Sequence, residues 1–276
     1  MVRGVPYLVR PSIGLIKPKN VIVGTDIAGV VEAVGENVTR FQPGDEVFGT
    51  CTGGCGEYAC AAETEVVLKP PNVSFEQAAA IPTSAFTALQ ALRDTGELQP
   101  GQKVLIIGAS GGVGTFAVQI AKALGAEVTG VCSSTNVEMV RSIGADHVID
   151  YTQEDFPGNS SRYDLILDMA GNRPLSVLRS VLSRNGILVL VGGRGGPWLS
   201  GMGRTMRGLL LSPFVSHRIR FFVSTRNEED LAYLKQLLEA GEVTPVIDTE
   251  YVLNQGPAAI DHVDRGHTSG KVVIRV

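Results

Sequence analysis

The chain has 276 residues, a net charge of −4 and a composition 44% hydrophobic, 19% charged and only 6% aromatic. That balance gives ample apolar material for one large or two ordinary domains, and leaves no sequence-wide positive field to neutralise a phosphate backbone or an anionic lipid surface. Nucleic acid and membrane are thereby excluded as expected partners, while the 33 glycines ask for a local structural explanation.

The N-terminal stretch, Met1-Val2-Arg3-Gly4-Val5-Pro6, lacks the long apolar core of a secretory signal, and runs such as Ile187 to Val191 fall far short of the ~20 residues that span a bilayer. A reducing, cytoplasmic compartment is the expectation. Cys51, Cys55 and Cys60 lie at spacings of four and five, unlike the paired C-x-x-C knuckles of structural zinc sites. With Cys132 far away in an apolar run, they read as scattered buried thiols, and no metal ligands are assigned.

From Val21 to about Lys69 the sequence gives short β runs broken by turns, among them Gly35-Glu36-Asn37 and Gln42-Pro43-Gly44-Asp45, which predict a small twisted antiparallel barrel. Ser74 caps a predicted helix through Ala80, Pro82 interrupts it, and a second helix runs to Arg93. From Lys103 strands and helices alternate: Val104–Ile107, helix Thr115–Leu124, Glu127–Cys132, helix Val137–Ile143, Leu165–Asp168, helix Leu175–Leu182, Ile187–Val191 and Arg220–Val223. Parallel strands need crossover connections, so this alternation predicts a doubly wound parallel sheet with helices on both faces. A helix from Glu228 to Ala240 then leads to β runs at Thr249–Leu253 and Lys271–Val276, which return the chain to the first domain.

The sharpest local feature is Val104-Leu105-Ile106-Ile107-Gly108-Ala109-Ser110-Gly111-Gly112-Val113-Gly114, followed by an amphipathic run. Ala109, Gly111 and Gly114 take the three positions of the dinucleotide fingerprint: a small residue for the tight turn, a glycine for close approach of a pyrophosphate, and a glycine for helix–strand packing. Free N–H groups at the helix start then face the phosphates. A glycine turn at an ordinary strand–helix junction is the competing reading, against which the βαβ context weighs. Nineteen residues beyond Gly114 stand Ser133-Ser134-Thr135-Asn136, with no carboxylate to bond the ribose 2′-hydroxyl of NAD. Hydroxyls and an amide can donate to a 2′-phosphate, which favours NADP(H); the same residues can also simply cap the next helix. No tyrosine has a lysine four residues on, so the Tyr-x-x-x-Lys pair of short-chain dehydrogenases is absent.

Gly24-Thr25-Asp26-Ile27-Ala28-Gly29-Val30-Val31, Phe41-Gln42-Pro43-Gly44-Asp45-Glu46-Val47-Phe48-Gly49, Gly108 to Gly114, and Gly266-His267-Thr268-Ser269-Gly270-Lys271-Val272-Val273 together resemble the medium-chain dehydrogenase/reductase superfamily. Within it they are similar to the zinc-independent, NADPH-dependent quinone oxidoreductase branch. The resemblance covers essentially the whole chain in the expected order. It implies an α/β protein with a Rossmann domain (81–225), a partial chaperonin-10-like β-barrel catalytic domain (1–80), and a linking helix with return of the chain to the barrel (226–276). Zinc alcohol dehydrogenases of the superfamily carry Gly-His-Glu where Gly24-Thr25-Asp26 stands, so a Lewis-acid mechanism is disfavoured.

The resemblance also assigns roles. Ala109, Ser110, Gly111, Gly112, Val113 and Gly114 would hold the pyrophosphate, Ser133 and Ser134 the 2′-phosphate, and Tyr151 would lie near the adenosine phosphate. Val191, Gly192, Gly193, Phe222 and Val223 would line the nicotinamide, and Lys271 would face the cofactor; ordinary surface roles for Tyr151 and Lys271 stand beside these. Tyr7 is the single catalytic candidate, as donor of a proton that solvent can also supply. His147, His217, His262 and His267 lack a paired base or nucleophile. Family members begin with further β-strands and an active-site Asn, ahead of the part matching Met1 to Leu15, so the barrel is expected to be partial. The implied activity is hydride transfer from NADPH to a quinone or activated alkene, with a small-molecule substrate and a homodimer formed through sheet edges near Phe221–Val223. A non-catalytic NADPH-binding protein and a zinc-dependent alcohol dehydrogenase are the alternatives.

Overall fold

The computed structural model describes residues 22–154, 162–191, 217–221, 223–266 and 268–276. Two compact units divide the chain, one built on Thr87–Val223 and the other on Asn20–Phe86 with Ser224–Val276. The sequence expectation placed the corresponding boundaries at 80/81 and 225/226; the first observed boundary, 86/87, falls inside a helix, Pro82–Gln90, where no local signal marks it.

In the discontinuous unit, β1 (Asp26–Val30), β2 (Glu46–Thr50) and β3 (Val66–Leu68) form an antiparallel sheet in that order. Phe48, fully buried, anchors its inner face, and Gly49 is obligatory because a Cβ there would lie 2.1 Å from the Glu65 carbonyl oxygen. Helix α1 (Phe75–Ala79) starts at Ser74, whose hydroxyl accepts from the Gln77 amide while the Gln77 side chain accepts from the Ser74 amide. Helix α2 (Pro82–Gln90) follows, with Pro82 opening rather than interrupting it, as a residue without an N–H does best in a first turn.

The other unit is a six-stranded all-parallel sheet. Its strands are β4 (Lys103–Ile107), β5 (Glu127–Cys132), β6 (His147–Asp150), β7 (Tyr163–Asp168), β8 (Leu182–Leu190) and β9 (Arg218–Phe221), in spatial order β6-β5-β4-β7-β8-β9. The order reverses between β4 and β7, which makes their carboxyl ends the crevice where doubly wound sheets bind ligands. Val104, Leu105 and Ile106 of β4 are completely buried, as a central strand covered on both faces requires. Helices α3 (Gly114–Ala123), α4 (Val137–Ser142) and α5 (Leu175–Ser180) provide crossovers. β6 is a strand absent from the sequence expectation, and β8 starts five residues earlier than expected, at Leu182, because the helix before it stops at Ser180.

The chain then returns through α6 (Glu228–Glu239), capped by Asn227, whose side chain accepts from the Asp230 amide, with three acids in the first turn where the helix dipole favours them. β10 (Ile247–Val252), helix α7 (Gly256–Asp264) and β11 (Lys271–Arg275) make a parallel βαβ unit within the discontinuous unit. The tail, Ser224–Val276, groups with Asn20–Phe86 in one unit, and α7 adds an element the sequence reading had passed over.

Candidate cofactor site

At the carboxyl end of β4 the chain turns sharply. Gly108 has φ +88°, open only to glycine, and the Gly108 and Ala109 amides both donate to the Val131 carbonyl at 3.1 Å, binding the turn to β5. Gly114 starts α3 against that turn: a Cβ there would stand 2.0 Å from the Gly108 carbonyl oxygen and 2.8 Å from Ala109 backbone atoms, so the close packing assigned to it is real. Gly111 differs. Among the described residues its Cβ would meet only the Gly108 oxygen, at 3.5 Å, so none of them demands glycine there. No side chain caps α3; the Thr115 amide donates to the Gly111 carbonyl at 3.0 Å, and the positive end of the helix dipole favours an anion here. Ala109 is buried and packs inward, whereas Ser110, Gly111, Gly112 and Val113 are partly accessible on the rim of the turn.

One strand over, β5 ends at Cys132 and releases Ser133 and Ser134. The Ser133 hydroxyl accepts from the Asn136 side-chain Nδ2 at 3.3 Å and shares a hydrogen with Thr135 Oγ1 at 3.1 Å. Ser134 Oγ lies 2.5 Å from Asp150 Oδ2 and 2.7 Å from Thr152 Oγ1. Asp150 closes β6 as the register partner of Cys132, and the next amide, that of Tyr151, donates to the Cys132 carbonyl at 3.1 Å. Sequence counting along β5 found no acid at this end of the sheet; the structure supplies one from the adjacent strand. Parallel register was the missing signal. Tyr151 is 53% exposed beside it.

Val191 follows β8, its amide donating to the Asp168 carbonyl at 3.1 Å at the carboxyl end of β7. Val223 is 74% exposed beyond β9. Tyr7, Gly192, Gly193 and Phe222 lie outside the described residues.

Lys271 belongs to the discontinuous unit, where it opens β11 directly after Gly270, whose φ of +100° and close approach to Val246 admit no side chain. Its side chain is 20% exposed; the ammonium donates to Ser84 Oγ at 2.8 Å and lies 3.9 Å from Asp26 Oδ2. Burial pushes the ammonium's pKa down, and the Asp26 charge opposes that fall. Asp26 is itself held by the Thr83 amide at 3.2 Å, by the Thr83 hydroxyl and by the Thr25 hydroxyl. A solvated strand-end lysine would show none of this. Asp26, Thr83 and Ser84 were missed as a group because their separations in sequence, 57 residues and more, carry no local pattern.

Among the described residues no group of three or more His, Cys, Asp and Glu side chains is placed to hold a metal ion, so zinc's donor set is not assembled there. Burial pushes the Cys51 and Cys55 thiols up, the opposite of what a metal-ligating thiolate needs.

Residues 7–71 match the alcohol dehydrogenase GroES-like domain, and residues 143–274 match the zinc-binding dehydrogenase domain. The chain is 35% identical over 284 residues to the mitochondrial NAD(P)H oxidoreductase RTN4IP1 of Mus musculus, covering 92% of this chain and 70% of that protein. It is 34% identical over 268 residues to the chloroplast envelope quinone oxidoreductase homolog of Arabidopsis thaliana, covering 92% and 79%. Among solved structures, the quinone oxidoreductase from Coxiella burnetii superposes with a TM-score of 0.83 at 29% identity, covering 97% of this chain and 83% of that one. With a Rossmann sheet, a GroES-like unit and these relatives, the chain belongs to the quinone oxidoreductase branch of the medium-chain dehydrogenase/reductase superfamily.

Proposed function

We propose that the protein is a zinc-independent, NAD(P)H-dependent reductase of quinones or of alkenes conjugated to a carbonyl. The observation that carries this reading is the turn Gly108 to Gly114, where Gly114 is demanded by packing and Gly111 is not. A glycine that none of the described residues demands, beside a helix start with no side-chain cap, fits a pyrophosphate resting on the backbone. Quinones and enones share an electron-poor C=C–C=O unit, so one site chemistry serves both. When bound, the nicotinamide supplies a hydride to that unit.

The chain's own residues bind and orient. Ser110 to Val113 and the α3 amides hold the pyrophosphate, the Ser133 and Ser134 end of β5 takes the adenosine ribose, and Val191 stands beside the crevice at the carboxyl end of β7. Gly192, Gly193, Phe222 and Val223 complete the nicotinamide side of the proposal. Lys271, oriented by Ser84 and Asp26, offers a cation with two N–H donors beyond the one given to Ser84. After hydride transfer the substrate oxygen or α-carbon takes a proton, for which Tyr7 is the proposed donor and solvent the competing source. The protein's contribution is orientation and exclusion of water rather than covalent chemistry.

The NADP(H) form of this proposal rests on the hydroxyls after β5; the Asp150 carboxylate beside them bears on it directly. Homodimer formation is proposed through the free edge of β9, whose outer side has no strand partner among the described residues and where Phe221 is 48% exposed. No helix among the described residues is long and apolar enough to cross a membrane; a cytoplasmic location remains part of the proposal, since the two relatives named are a mitochondrial and a chloroplast envelope protein.

The test is oxidation of NADH and NADPH by the purified full chain against a panel of quinones and enones. Turnover with at least one acceptor supports the reading; cofactor binding without turnover would favour a binding protein instead, and stoichiometric zinc required for activity would favour the alcohol dehydrogenase alternative.

A further inference from the structure

The proton inventory around Ser134 restricts what can bind there. Ser134 Oγ, Thr152 Oγ1 and the Asp150 carboxylate form a closed triangle, with separations of 2.5 Å from Ser134 to Asp150, 2.7 Å from Ser134 to Thr152 and 2.7 Å from Thr152 to Asp150. Each hydroxyl has one hydrogen. However the two hydrogens are distributed over these contacts, both are spent inside the triangle: Ser134 donates to Asp150 or to Thr152, and Thr152 donates to Asp150 or to Ser134. The Thr152 amide also donates to Asp150 Oδ1 at 2.9 Å. What the triangle offers outward is lone pairs and a negative charge.

The triangle sits at the carboxyl ends of β5 and β6, the place where a Rossmann sheet meets the adenosine ribose. Two ligand chemistries compete for that place. An unphosphorylated 2′-hydroxyl carries a proton to donate; a 2′-phosphate brings only acceptors and close to two negative charges. The nearby cation compensates only in part, because Arg141 Nη1 lies 2.9 Å from the Glu138 Oε1 carboxylate oxygen. Ser133 with Thr135 keeps one hydroxyl hydrogen uncommitted, a neutral donor facing a full charge on Asp150.

We infer that Asp150 is the residue by which this site selects its cofactor, favouring the unphosphorylated ribose of NADH over the 2′-phosphate of NADPH. The inference rests on the nicotinamide-dependent reading above and reverses the preference expected from the β5 end alone. The carboxylate stays ionised in the range where enzymes are assayed, since the Ser134 hydrogen bond, with those from Thr152, holds it below the usual carboxylate range against the opposing effect of desolvation.

The test measures dissociation constants of the full chain for NADH and NADPH at low ionic strength, in the wild type and in Asp150→Asn, with circular dichroism to verify folding. The wild type is expected to bind NADH more tightly. Asp150→Asn should tighten NADPH about tenfold, the change from removing one charge roughly 6 Å from a doubly charged phosphate in water, and should move NADH little. That gain should shrink at high salt, because exposed charges are screened. Ser134→Ala, which keeps the carboxylate, should retain the NADH preference and serves if the first variant does not fold. An NADPH-to-NADH ratio unmoved by Asp150→Asn, or NADPH bound more weakly by it, overturns the inference while leaving the cofactor reading intact. A folded wild type that binds neither nucleotide overturns both.

Discussion

Replacing Gly114 and Gly111 by alanine, one at a time, separates packing from ligand binding at the same turn. A methyl at Gly114 would sit 2.0 Å from the Gly108 carbonyl oxygen and 2.8 Å from the Ala109 Cα and carbonyl carbon, all backbone atoms that cannot rotate away. Relief requires the start of α3 to move off β4 by more than an ångström, an overpacking effect of about 3 kcal/mol. Alanine's better helix propensity returns at most about 1 kcal/mol, leaving a net loss of about 2 kcal/mol. At Gly111 the methyl would meet one atom at 3.5 Å, an ordinary contact, and Gly111 is not among the glycines with positive φ. Gly111→Ala should therefore leave stability unchanged or raise it by about 0.5 kcal/mol through the unfolded chain. Cofactor affinity should fall in both, by about tenfold or more in Gly111→Ala, where the methyl occupies the space proposed for the pyrophosphate. Urea denaturation and cofactor titration read the two effects separately. A Gly111→Ala protein that is as stable as the wild type and binds cofactor equally well would refute the reasoning, as would a Gly114→Ala protein with no loss of stability.

Other consequences follow from single interactions. Lys271→Met keeps the length of the side chain but leaves Asp26 without its cation, so Tm should fall; KM for the cofactor should rise about tenfold, and an unchanged KM would remove Lys271 from the site. In the wild type, the depressed lysine pKa means that cofactor affinity dependent on the ammonium should decline below the ordinary lysine range of about 10.4 as pH rises. Burial pushes the Asp146 carboxyl up, but Lys122 Nζ at 2.8 Å and the Val128 amide at 2.7 Å outweigh it and hold the pKa below the usual value. A depressed folded pKa stabilises above the unfolded value of about 3.9 and is lost as pH falls through the folded one. Asp146→Asn should thus be less stable than the wild type by about 1 kcal/mol at pH 7, with the gap closing below about pH 4 in urea titrations. Cys132 is 2% exposed with its thiol pushed up to about 11 by burial and the nearby Asp150 charge, whereas Cys60 is exposed; alkylation followed by mass spectrometry should label Cys60 first and Cys132 only on unfolding.

Much of the architecture is written in local pattern. The unbroken apolar run of β4, the small-residue turn after it and the apolar face of α3 are consecutive in the chain, so period and turn chemistry alone place them, and the alternation beyond them gives the parallel sheet. The Ser74 cap is legible for the same reason. What escapes is set by neighbours distant in sequence. Asp150 matters because β6 lies beside β5 in register, pairing it with Cys132, and no count along β5 finds it. Lys271 gains Asp26 and Ser84 as partners only through folding of segments 187 and more residues apart. α7 was missed because a chain of Gly256, Pro257 and two alanines reads as a turn until Pro257 is placed in the first helical turn, where its missing N–H does no harm. Periodicity gave the two-part plan, the resemblance in four separated motifs attached it to a family, and the relatives bear that family out.

The most direct measurement of the central claim is a stopped-flow record of nicotinamide absorbance at 340 nm, with the full chain, NADH or NADPH, and either a benzoquinone or an enone, in buffer containing chelator. The account predicts enzyme-dependent loss of the reduced-nicotinamide signal with at least one acceptor, undiminished by the chelator. A protein that binds cofactor but consumes none across the panel, or one that loses turnover when zinc is stripped and regains it when zinc is restored, would contradict it.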